Sequence, residues 1–438
     1  MRKTSKGFVV LLLFCLAAGG AKANDDVNDL KQQLAEQNRI LQEMQQRLET
    51  LEAKLAEQDE KIVQQEQKLA QQDKNLEETV AKAVDNKKFE ALPDSLKWAE
   101  NVKISGDLRY RYEMIDEEDS NNRNRNRIRA RLGIKGKVND DIEVGFRIAT
   151  SEQFSSGKGD PVSTNQTLDD AFSKKAIWLD LAYFKWNPKK SGWNIFGGKM
   201  ENPFYRAGGN QLIFDSDLTP EGIAVQYIRK LGERDELFAN AGGFWLNESS
   251  SGADTSLWGM QAGLKHTFAN KNTLTAGGSY YSYGNIEGSA ALIGTGFQGN
   301  SNSAGMYVSD YDIAEVFGEY GFKINETPAA AFASFVKNTS AATSQDTGWL
   351  VGGKLGKCKE PGSWECSYDY RDLEADAVLG ALSDSDFIGG GTNGSGHRFG
   401  VSYQIAKNLQ GGLTYFLDEK NSNSHSYNRL QTDLIFKF

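Results

Sequence analysis

The feature that most constrains the fold is a two-residue alternation of apolar and polar residues, which recurs from Val102 to the end of the chain. In the last ten residues the even positions are mainly apolar and end on the aromatic Phe438, whereas the odd positions include Arg429 and Asp433. Because successive side chains of a β-strand point to opposite faces, each segment predicts a strand with one apolar and one polar face. Such strands occur both in transmembrane barrels and in soluble sandwiches.

The connections between these segments favour the barrel. The predicted strands are roughly residues 102–114, 127–138, 142–151, 176–187, 192–201, 221–231, 236–247, 256–268, 272–284, 311–324, 328–338, 347–357, 364–373, 397–406, 409–418 and 427–438. Short links alternate with long ones along the whole series, as expected for a membrane barrel with tight periplasmic turns and long outer loops. We therefore predict an all-β fold, a transmembrane antiparallel β-barrel of about 16 strands, which is wide enough to enclose an aqueous channel.

The N-terminal region differs from the barrel segment and predicts three further parts. An apolar run follows Lys6 and ends before Ala21-Lys22-Ala23, which indicates a secretory signal peptide over residues 1–23. Apolar residues at heptad spacing from Leu30 to Ala83 predict an α-helical coiled coil within residues 24–85, in the periplasm. The alternatives for this arm are an isolated charged helix and a disordered polar tract. Residues 86–101 are a predicted linker, and residues 102–438 form the predicted barrel domain.

Composition excludes several classes of protein. The net charge of -9 argues against nucleic acid as a partner, and the mean hydropathy of -0.55 argues against a helical membrane protein. The three histidines are far apart in sequence, and no metal-ligand spacing, phosphate loop or nucleophile motif is present. We therefore predict no cofactor, no metal site and no enzymatic activity.

The second predicted strand carries an arginine at every second position from Arg123 to Arg131, so these five side chains share one face. A charged residue at mid-membrane depth on the lipid face costs roughly 2 to 4 kcal/mol, so this face must line the lumen or the outer rim. Arg109 and Arg111 on the first predicted strand and Arg147 on the third add to this face, which we call the basic wall. The tenth predicted strand places Glu315 and Glu319 on its lumen face. The predicted pore-lining and selectivity residues are Arg109, Arg111, Arg127, Arg129, Arg131, Arg147, Glu315 and Glu319.

Two cysteines, Cys358 and Cys366, flank the Pro361-Gly362 turn in a compartment that we expect to be oxidising. A disulfide is the favoured interpretation, and free thiols are the alternative. Strict alternation places the even residues of the two adjoining strands on opposite faces, so the bond requires Cys358 to lie in the turn or at a bulge.

Two acidic segments, Asp116–Asp119 and Asp384–Asp386, fall in predicted outer loops. Cation sites are conceivable for both segments, but solvated charge runs are the favoured interpretation.

Three segments, together with the signal and the coiled coil, resemble the Putative porin family of Gram-negative bacteria. They are Lys103–Arg109, Asn126–Gly133 and Gly197–Phe204. The resemblance covers nearly the whole mature chain. The chain is also similar in plan to phosphate-selective porins, which place a coiled coil before a sixteen-stranded trimeric barrel and use arginine ladders and lysines. The resemblance implies a homotrimer in the outer membrane, in contact with its lipids and lipopolysaccharide.

The resemblance also gives a role to the third long loop, Asn202 to Pro220, because this loop folds into the channel of sixteen-stranded porins. We therefore expect Arg206, Asp215 and Asp217 to lie at a constriction. Acids of the loop that face the basic wall would create a transverse field. The alternative is an ordinary surface loop whose acids pair with nearby arginines.

The leading functional hypothesis is a water-filled porin for passive diffusion of small hydrophilic solutes and ions, with a weak preference for anions. A second hypothesis is an envelope tether, whose coiled coil contacts peptidoglycan and whose barrel is a membrane anchor. A third is a barrel enzyme that acts on lipid.

Removing residues 24–85 should leave a folded and conducting barrel, because the alternation and the closing strand lie within residues 102–438. Ion conductance in planar bilayers measures this, and attachment of the envelope to the cell wall should weaken in the same variant if the arm is a tether. A correctly folded barrel that no longer conducts would contradict the division into arm and channel.

Overall fold

The computed structural model describes residues 99–189, 191–294 and 296–438. Within the N-terminal region it describes only a few helical residues: Ala35, Glu36, Arg39, Gln42, Glu43, Gln46, Arg47 and Lys68. The predicted signal peptide and the rest of the predicted coiled coil lie outside the described residues. The chain forms two compact units, Met1–Asp94 and Ser95–Phe438. Among the described residues, no helix is both long enough and apolar enough to span a membrane.

The unit Ser95–Phe438 is a closed antiparallel barrel of 16 strands. The strands are β1 (Val102–Glu117), β2 (Arg123–Lys137), β3 (Ile142–Thr150), β4 (Ile177–Trp186), β5 (Trp193–Lys199), β6 (Glu221–Lys230), β7 (Asp235–Asn247), β8 (Thr255–Thr267), β9 (Thr273–Gly284), β10 (Asp312–Ile324), β11 (Thr327–Asn338), β12 (Thr347–Gly356), β13 (Trp364–Leu373), β14 (Gly394–Ala406), β15 (Leu409–Lys420) and β16 (His425–Lys437). The predicted fold and strand number are confirmed. The main difference is that β1, β2 and β14 extend further towards the long loops than predicted.

The long loops contain short regular segments of their own. The two-residue strand Gln166–Thr167 pairs with β2 at Arg127 and Ile128. A small hairpin joins Asn302–Ser303 to Met306–Tyr307. The single 3-10 turns are Asp170–Phe172, Ala207–Gly209, Gly380–Leu382 and Phe387–Gly389.

The last strand closes the barrel, as its sequence predicts. β16 pairs with β1 in a register that runs from Asp107 opposite Lys437 to Glu117 opposite Tyr427. The terminal residue Phe438 then exchanges two backbone hydrogen bonds with Gly106, at 2.9 and 3.1 Å. Closure leaves no unpaired sheet edge, which is a condition for crossing a membrane with strands.

The alternation separates an apolar outer face from a charged inner face on β1, β2 and β16. On β1, Leu108 and Met114 are each 45% exposed on the outside, whereas Arg109 and Arg111 are buried inside the barrel. The barrel has two distinct ends. The start of β1, the end of β16 and the short turns lie at one end, here called the turn end, and the long loops lie at the other, here called the loop end.

The inner face of β7 to β11 differs from the expected polar surface, because it carries aromatic side chains. They are Phe238, Phe244, Tyr281, Phe317 and Phe332. The reason is that loop 200–220 folds into the barrel and packs on them. The ring of Phe204 lies 5.0 Å from that of Tyr281, and the ring of Tyr205 lies 5.5 Å from that of Phe317.

A second loop, residues 374–393, packs on the same hydrophobic cluster inside the barrel. Its residues Val378, Leu379 and Phe387 are almost completely buried in this cluster. Aromatic and aliphatic groups therefore fill the β7 to β12 side of the lumen, and the open space lies on the side of β1, β2 and β16.

Substituting Ala for Gly106 should destabilise the closed barrel. A Cβ atom at this position would lie 2.5 Å from the backbone oxygen of Arg131 and 2.5 Å from the ring of Phe438. Overpacking of this kind costs about 1–3 kcal/mol. The measurement is the urea midpoint of unfolding in lipid vesicles.

The matched control is Gly136→Ala, whose Cβ would meet only Val144 at an ordinary 3.7 Å. Equal midpoints for the two variants would show that the contact between Gly106 and Phe438 does not constrain the seam.

Candidate functional site

Three cavities lie one after another along the inner face of β1, β2 and β16. The outer cavity has a volume of about 780 Å³ and is lined by Arg123 and Arg125 among others. The middle cavity, about 210 Å³, is lined by Arg125 and Arg127. The inner cavity, about 180 Å³, is lined by Arg109, Arg111 and Arg129. The inward-facing arginines of β1 and β2 are called here the arginine ladder: Arg109, Arg111, Arg123, Arg125, Arg127, Arg129 and Arg131. Successive members of this ladder border the three cavities in turn.

The barrel wall supplies carboxylates that pair with this ladder. Arg111 donates from Nε and Nη2 to the two oxygens of Asp433, at 2.6 and 2.7 Å. Asp107 accepts from Arg129 and Arg131, with closest contacts of 2.8 and 2.7 Å. Bidentate and charge-assisted contacts of this kind fix guanidinium geometry. The basic wall is therefore partly neutralised.

Glu113 is the most enclosed member of this charge network, with no exposed surface. Arg429 donates to it at 2.8 Å, Arg127 lies 3.6 Å away, and Arg125 forms a close ion pair with it. A buried carboxylate requires such compensation, because an unpaired buried charge costs several kcal/mol. Sequence analysis missed Glu113, although it shares the inward parity of Arg109 and Arg111.

Arg109 is the least compensated of the buried ladder arginines. It is 8% exposed, its Nη2 donates to Asn165 Oδ1 at 2.5 Å, and its closest carboxylate, Asp433, is 4.0 Å away. Its Nε has no hydrogen-bond partner within the part of the chain that the structure describes. The Arg109 guanidinium thus places a positive charge beside the inner cavity, and its Nε–H group has no hydrogen-bond acceptor among the described residues.

Lysines extend the positive surface from the ladder to the turn end. Lys103 lies opposite Lys135 in the register of β1 and β2, and Lys437 lies opposite Asp107. All three occupy inward-facing positions, and they are called here the turn-end lysines. Other strands contribute inward-facing lysines as well: Lys137, Lys265, Lys323 and Lys354.

Across residues 99–438, apart from the two undescribed positions, none of the turn-end lysines has a carboxylate within 4.0 Å. The turn-end lysines are absent from the predicted site residues, because each of the three strands supplies only one or two inward-facing lysines. The alternation on β1, β2 and β16 is the signal that would have found them.

The predicted residues of loop 200–220 have different roles. Asp217 faces the ladder, 3.5 Å from Arg131, and accepts a hydrogen bond from Thr164 at 2.8 Å. Asp215 is buried and accepts from the backbone of Ser385 at 2.8 Å, so it joins this loop to loop 374–393. Arg206 donates to the backbone oxygen of Phe214 at 3.0 Å and so stabilises the loop internally.

Glu315 and Glu319 do not form an acidic wall that faces the ladder. Ser279 and Ser334 donate to Glu315 at 2.7 and 2.8 Å. Glu319 accepts from the Tyr205 hydroxyl at 2.7 Å and from the Gly208 backbone at 2.6 Å, which holds loop 200–220 in place.

Arg147 lies beside the ladder and is neutralised locally. It forms a close ion pair with Asp180 and a second ion pair with Glu201 at 3.1 Å. Its charge is therefore compensated, in contrast to that of Arg109.

The acidic segment Asp384–Asp386 lies inside the barrel, with Asp384 buried and Asp386 half-buried, so its interpretation as a solvated run is wrong. Asp384 pairs with Arg371 at 2.7 Å, and Asp386 pairs with Arg429 at 2.7 Å. Burial alone would raise the pKa of Asp386, but the neighbouring Arg429 and Arg111 guanidinium groups hold that pKa well below its usual range.

The predicted disulfide is not formed, because Cys358 and Cys366 are free thiols. Cys366 lies on the outward face of β13, opposite Leu355 and Val401. Cys358 follows the end of β12, and its Sγ lies 3.7 Å from Oε1 of the inward-facing Gln404. The two thiols thus lie on opposite faces of the sheet, which is the difficulty that strict alternation predicts.

A titratable group from loop 151–176 borders the middle cavity. Asp160 lies there with Arg127 and Glu152, and it accepts a hydrogen bond from the backbone of Val162 at 2.9 Å. Burial raises the pKa of Asp160 to about 6, although the Val162 hydrogen bond and Arg127 act in the opposite direction.

The described residues contain no group of three or more His, Cys, Asp or Glu side chains that could hold a metal ion.

A comparison with curated proteins gives no match. Among solved structures, a high-pH structure of OprB from Pseudomonas putida is similar, with a TM-score of 0.54 and 12% identity over 80% of this chain and 97% of that chain. OmpF from Salmonella typhi in complex with daunomycin has a TM-score of 0.48 and 13% identity over 77% of this chain and 97% of that one. The first of these likenesses supports the porin-type barrel fold. A family model described as Putative porin matches residues 115–309 and 310–438, and the chain therefore belongs to the Putative porin family.

Proposed function

We propose that this outer-membrane channel lets small hydrophilic solutes and ions diffuse passively and that it prefers anions weakly. The observation that carries the proposal is a row of positive side chains on the inner surface of β1, β2 and β16, whose arginines border the cavities. It consists of the arginine ladder, from Arg123 to Arg131 with Arg109 and Arg111, and the turn-end lysines. We call this surface the basic strip. A surface of one sign raises the local concentration of counterions and lowers their entry barrier.

The preference is weak because much of the ladder is paired. Arg111 has Asp433 as a partner, and Arg129 and Arg131 share Asp107. The least compensated part consists of the turn-end lysines, Arg109 and the exposed Arg123. The lysines are exposed to the lumen, so salt screens their effect, as the Debye length falls from about 30 Å at 0.01 M to about 3 Å at 1 M.

We also propose that the protein is a homotrimer embedded in outer-membrane lipids and lipopolysaccharide, with its coiled coil in the periplasm and in contact with peptidoglycan. The heptad repeat supports the arm, and the exposed apolar belt of the barrel supports contact with lipid. Native mass spectrometry that gives a monomer for the full chain would contradict the trimer.

Replacing Lys103, Lys135 and Lys437 together by Gln should lower the ratio of anion to cation permeability. Two unit charges about 10 Å apart in water interact by roughly 0.4 kcal/mol, which corresponds to roughly a twofold change for each lysine. The reversal potential under a dilute salt gradient in planar bilayers measures the ratio. These lysines are preferable to ladder arginines, because removing Arg129 and Arg131 would leave Asp107 without partners.

The matched control replaces Lys271, Lys359 and Lys407, which lie in the short turns, by Gln. It removes the same charge outside the lumen and should leave the reversal potential nearly unchanged. Equal shifts in the two triple variants, or no shift in the first, would contradict a role for the basic strip.

Lowering the pH from 7 to 5 should increase the preference for anions. Asp160, with a pKa of about 6, is negative above this value and neutral below it, so protonation removes an opposing charge from the middle cavity. Asp160→Asn should already show the higher anion preference at pH 7 and a smaller change on acidification. Reversal potentials at both pH values provide the measurement.

The control for the pH experiment is Asp169→Asn in the same loop, where Asp169 is exposed and pairs with Lys175 at 2.6 Å. This variant should keep the full pH response. If Asp160→Asn keeps it too, another group is responsible for the titration.

A further inference from the structure

Loop 374–393 lies where the three cavities meet. Ser385 borders the outer, the middle and the inner cavity. The next residue, Asp386, borders the inner cavity. A solute that moves along the basic strip from the outer to the inner cavity therefore passes this pair of residues.

Asp386 attaches this part of the loop to the ladder. Its carboxylate lies 2.7 Å from Arg429 on β16 and 3.4 Å from Arg111 on β1. Arg429 also donates to the backbone oxygen of Asp386 at 3.2 Å. One loop carboxylate thus contacts two wall arginines on neighbouring strands at the junction of the cavities, in addition to their partners Asp433 and Glu113 on the wall.

On its other side the loop is attached to loop 200–220. The backbone nitrogen of Ser385 donates to Asp215 Oδ2 at 2.8 Å, and the backbone nitrogen of Asp215 donates to the Leu382 oxygen at 2.9 Å. The segment from Leu382 to Asp386 consequently bridges the lumen, from the hydrophobic interior to the arginine ladder.

The rest of loop 374–393 is held independently of Asp386. The Asn300 side chain donates to the backbone oxygens of Ala375 and Val378, at 2.6 and 2.8 Å, and accepts from Gly380 at 2.8 Å. Arg371 holds Asp384 at 2.7 Å. A change confined to the Asp386 side chain therefore leaves most attachments of the loop in place.

We propose that Asp386 is a selectivity-determining residue of the channel. Its carboxylate narrows the passage beside Ser385 and adds a negative charge next to Arg111 and Arg429 where the cavities meet. In this proposal the constriction predicted for loop 200–220 is formed by that loop together with residues Leu382 to Asp386 of loop 374–393. The inference rests on the proposed channel function and concerns which residue limits anion passage.

Substituting Asn for Asp386 tests this inference, because Asn has nearly the same volume and carries no charge. The ratio of anion to cation permeability should rise at least roughly twofold, as expected for removing one charge next to the permeating ion. Single-channel conductance in dilute salt should rise as well. Asp386→Glu keeps the charge and adds one methylene, so it should retain the selectivity of the unchanged protein and lower the conductance.

The matched control is Asp384→Asn, which makes the same charge change two residues away in the same loop. Asp384 contacts Arg371 and accepts a hydrogen bond from the backbone nitrogen of Asp386 at 3.0 Å, which the side-chain oxygen of Asn can also accept. Neither Asp384 nor Arg371 borders any of the three cavities. This control should leave the permeability ratio unchanged. If it does not fold, as judged by heat-dependent migration in gels, the exposed Asp169→Asn provides the charge control.

An unchanged permeability ratio in folded Asp386→Asn, or an equal shift in the folded control, overturns the proposal for Asp386. If Asp386→Asn does not fold, a changed ratio in folded Asp386→Glu also overturns it. Failure of the proposed channel function looks different, since the unchanged protein itself then gives no conductance.

Discussion

The backbone hydrogen bonds between β1 and β16, which close the barrel, are the constraint on which the other features depend. In a membrane, every strand needs two neighbours, because lipid offers no partner for backbone polar groups. Closure also fixes register, and a slip of one residue would turn every side chain of a strand to the opposite face. The pairing of Asp107 with Lys437 and of Gly106 with Phe438 thereby keeps the ladder arginines inside the barrel.

The same seam sets the electrostatics of the lumen. Arg111 and Asp433 are 322 positions apart in sequence and meet because β1 and β16 are neighbours. Arg429 and Glu113 meet across the same seam. Each pair offsets part of the cost of enclosing a charge, so the lumen tolerates many ionised groups. Charge compensation across strands, more than the number of arginines, determines how strongly such a surface attracts anions.

The inward loops decide where the open space lies. Aromatic residues such as Phe204 and Tyr205 attach loop 200–220 to the inner face of β7 to β11, and loop 374–393 joins them through Asp215. Burial of these apolar groups removes the β7 to β12 side of the lumen from the aqueous space. The cavities that remain border the charged strands, Ser385 and Asp386, and solutes pass beside these groups if the proposed channel function holds.

The sequence by itself determined the barrel, its sixteen strands, the closing role of the last strand and the inward arginine face, because a period of two residues and alternating loop lengths are local properties. That loop 200–220 enters the barrel was expected only from the family resemblance, with an ordinary surface loop as the alternative. Only the tertiary structure decided which carboxylate meets each arginine. It also showed that Glu319 holds loop 200–220 and that Glu315 bonds to serines of the neighbouring strands, so neither faces the ladder. It likewise placed Asp386 inside and separated Cys358 from Cys366. These outcomes depend on strand neighbours and on long-range loop packing, which one strand's alternation does not specify.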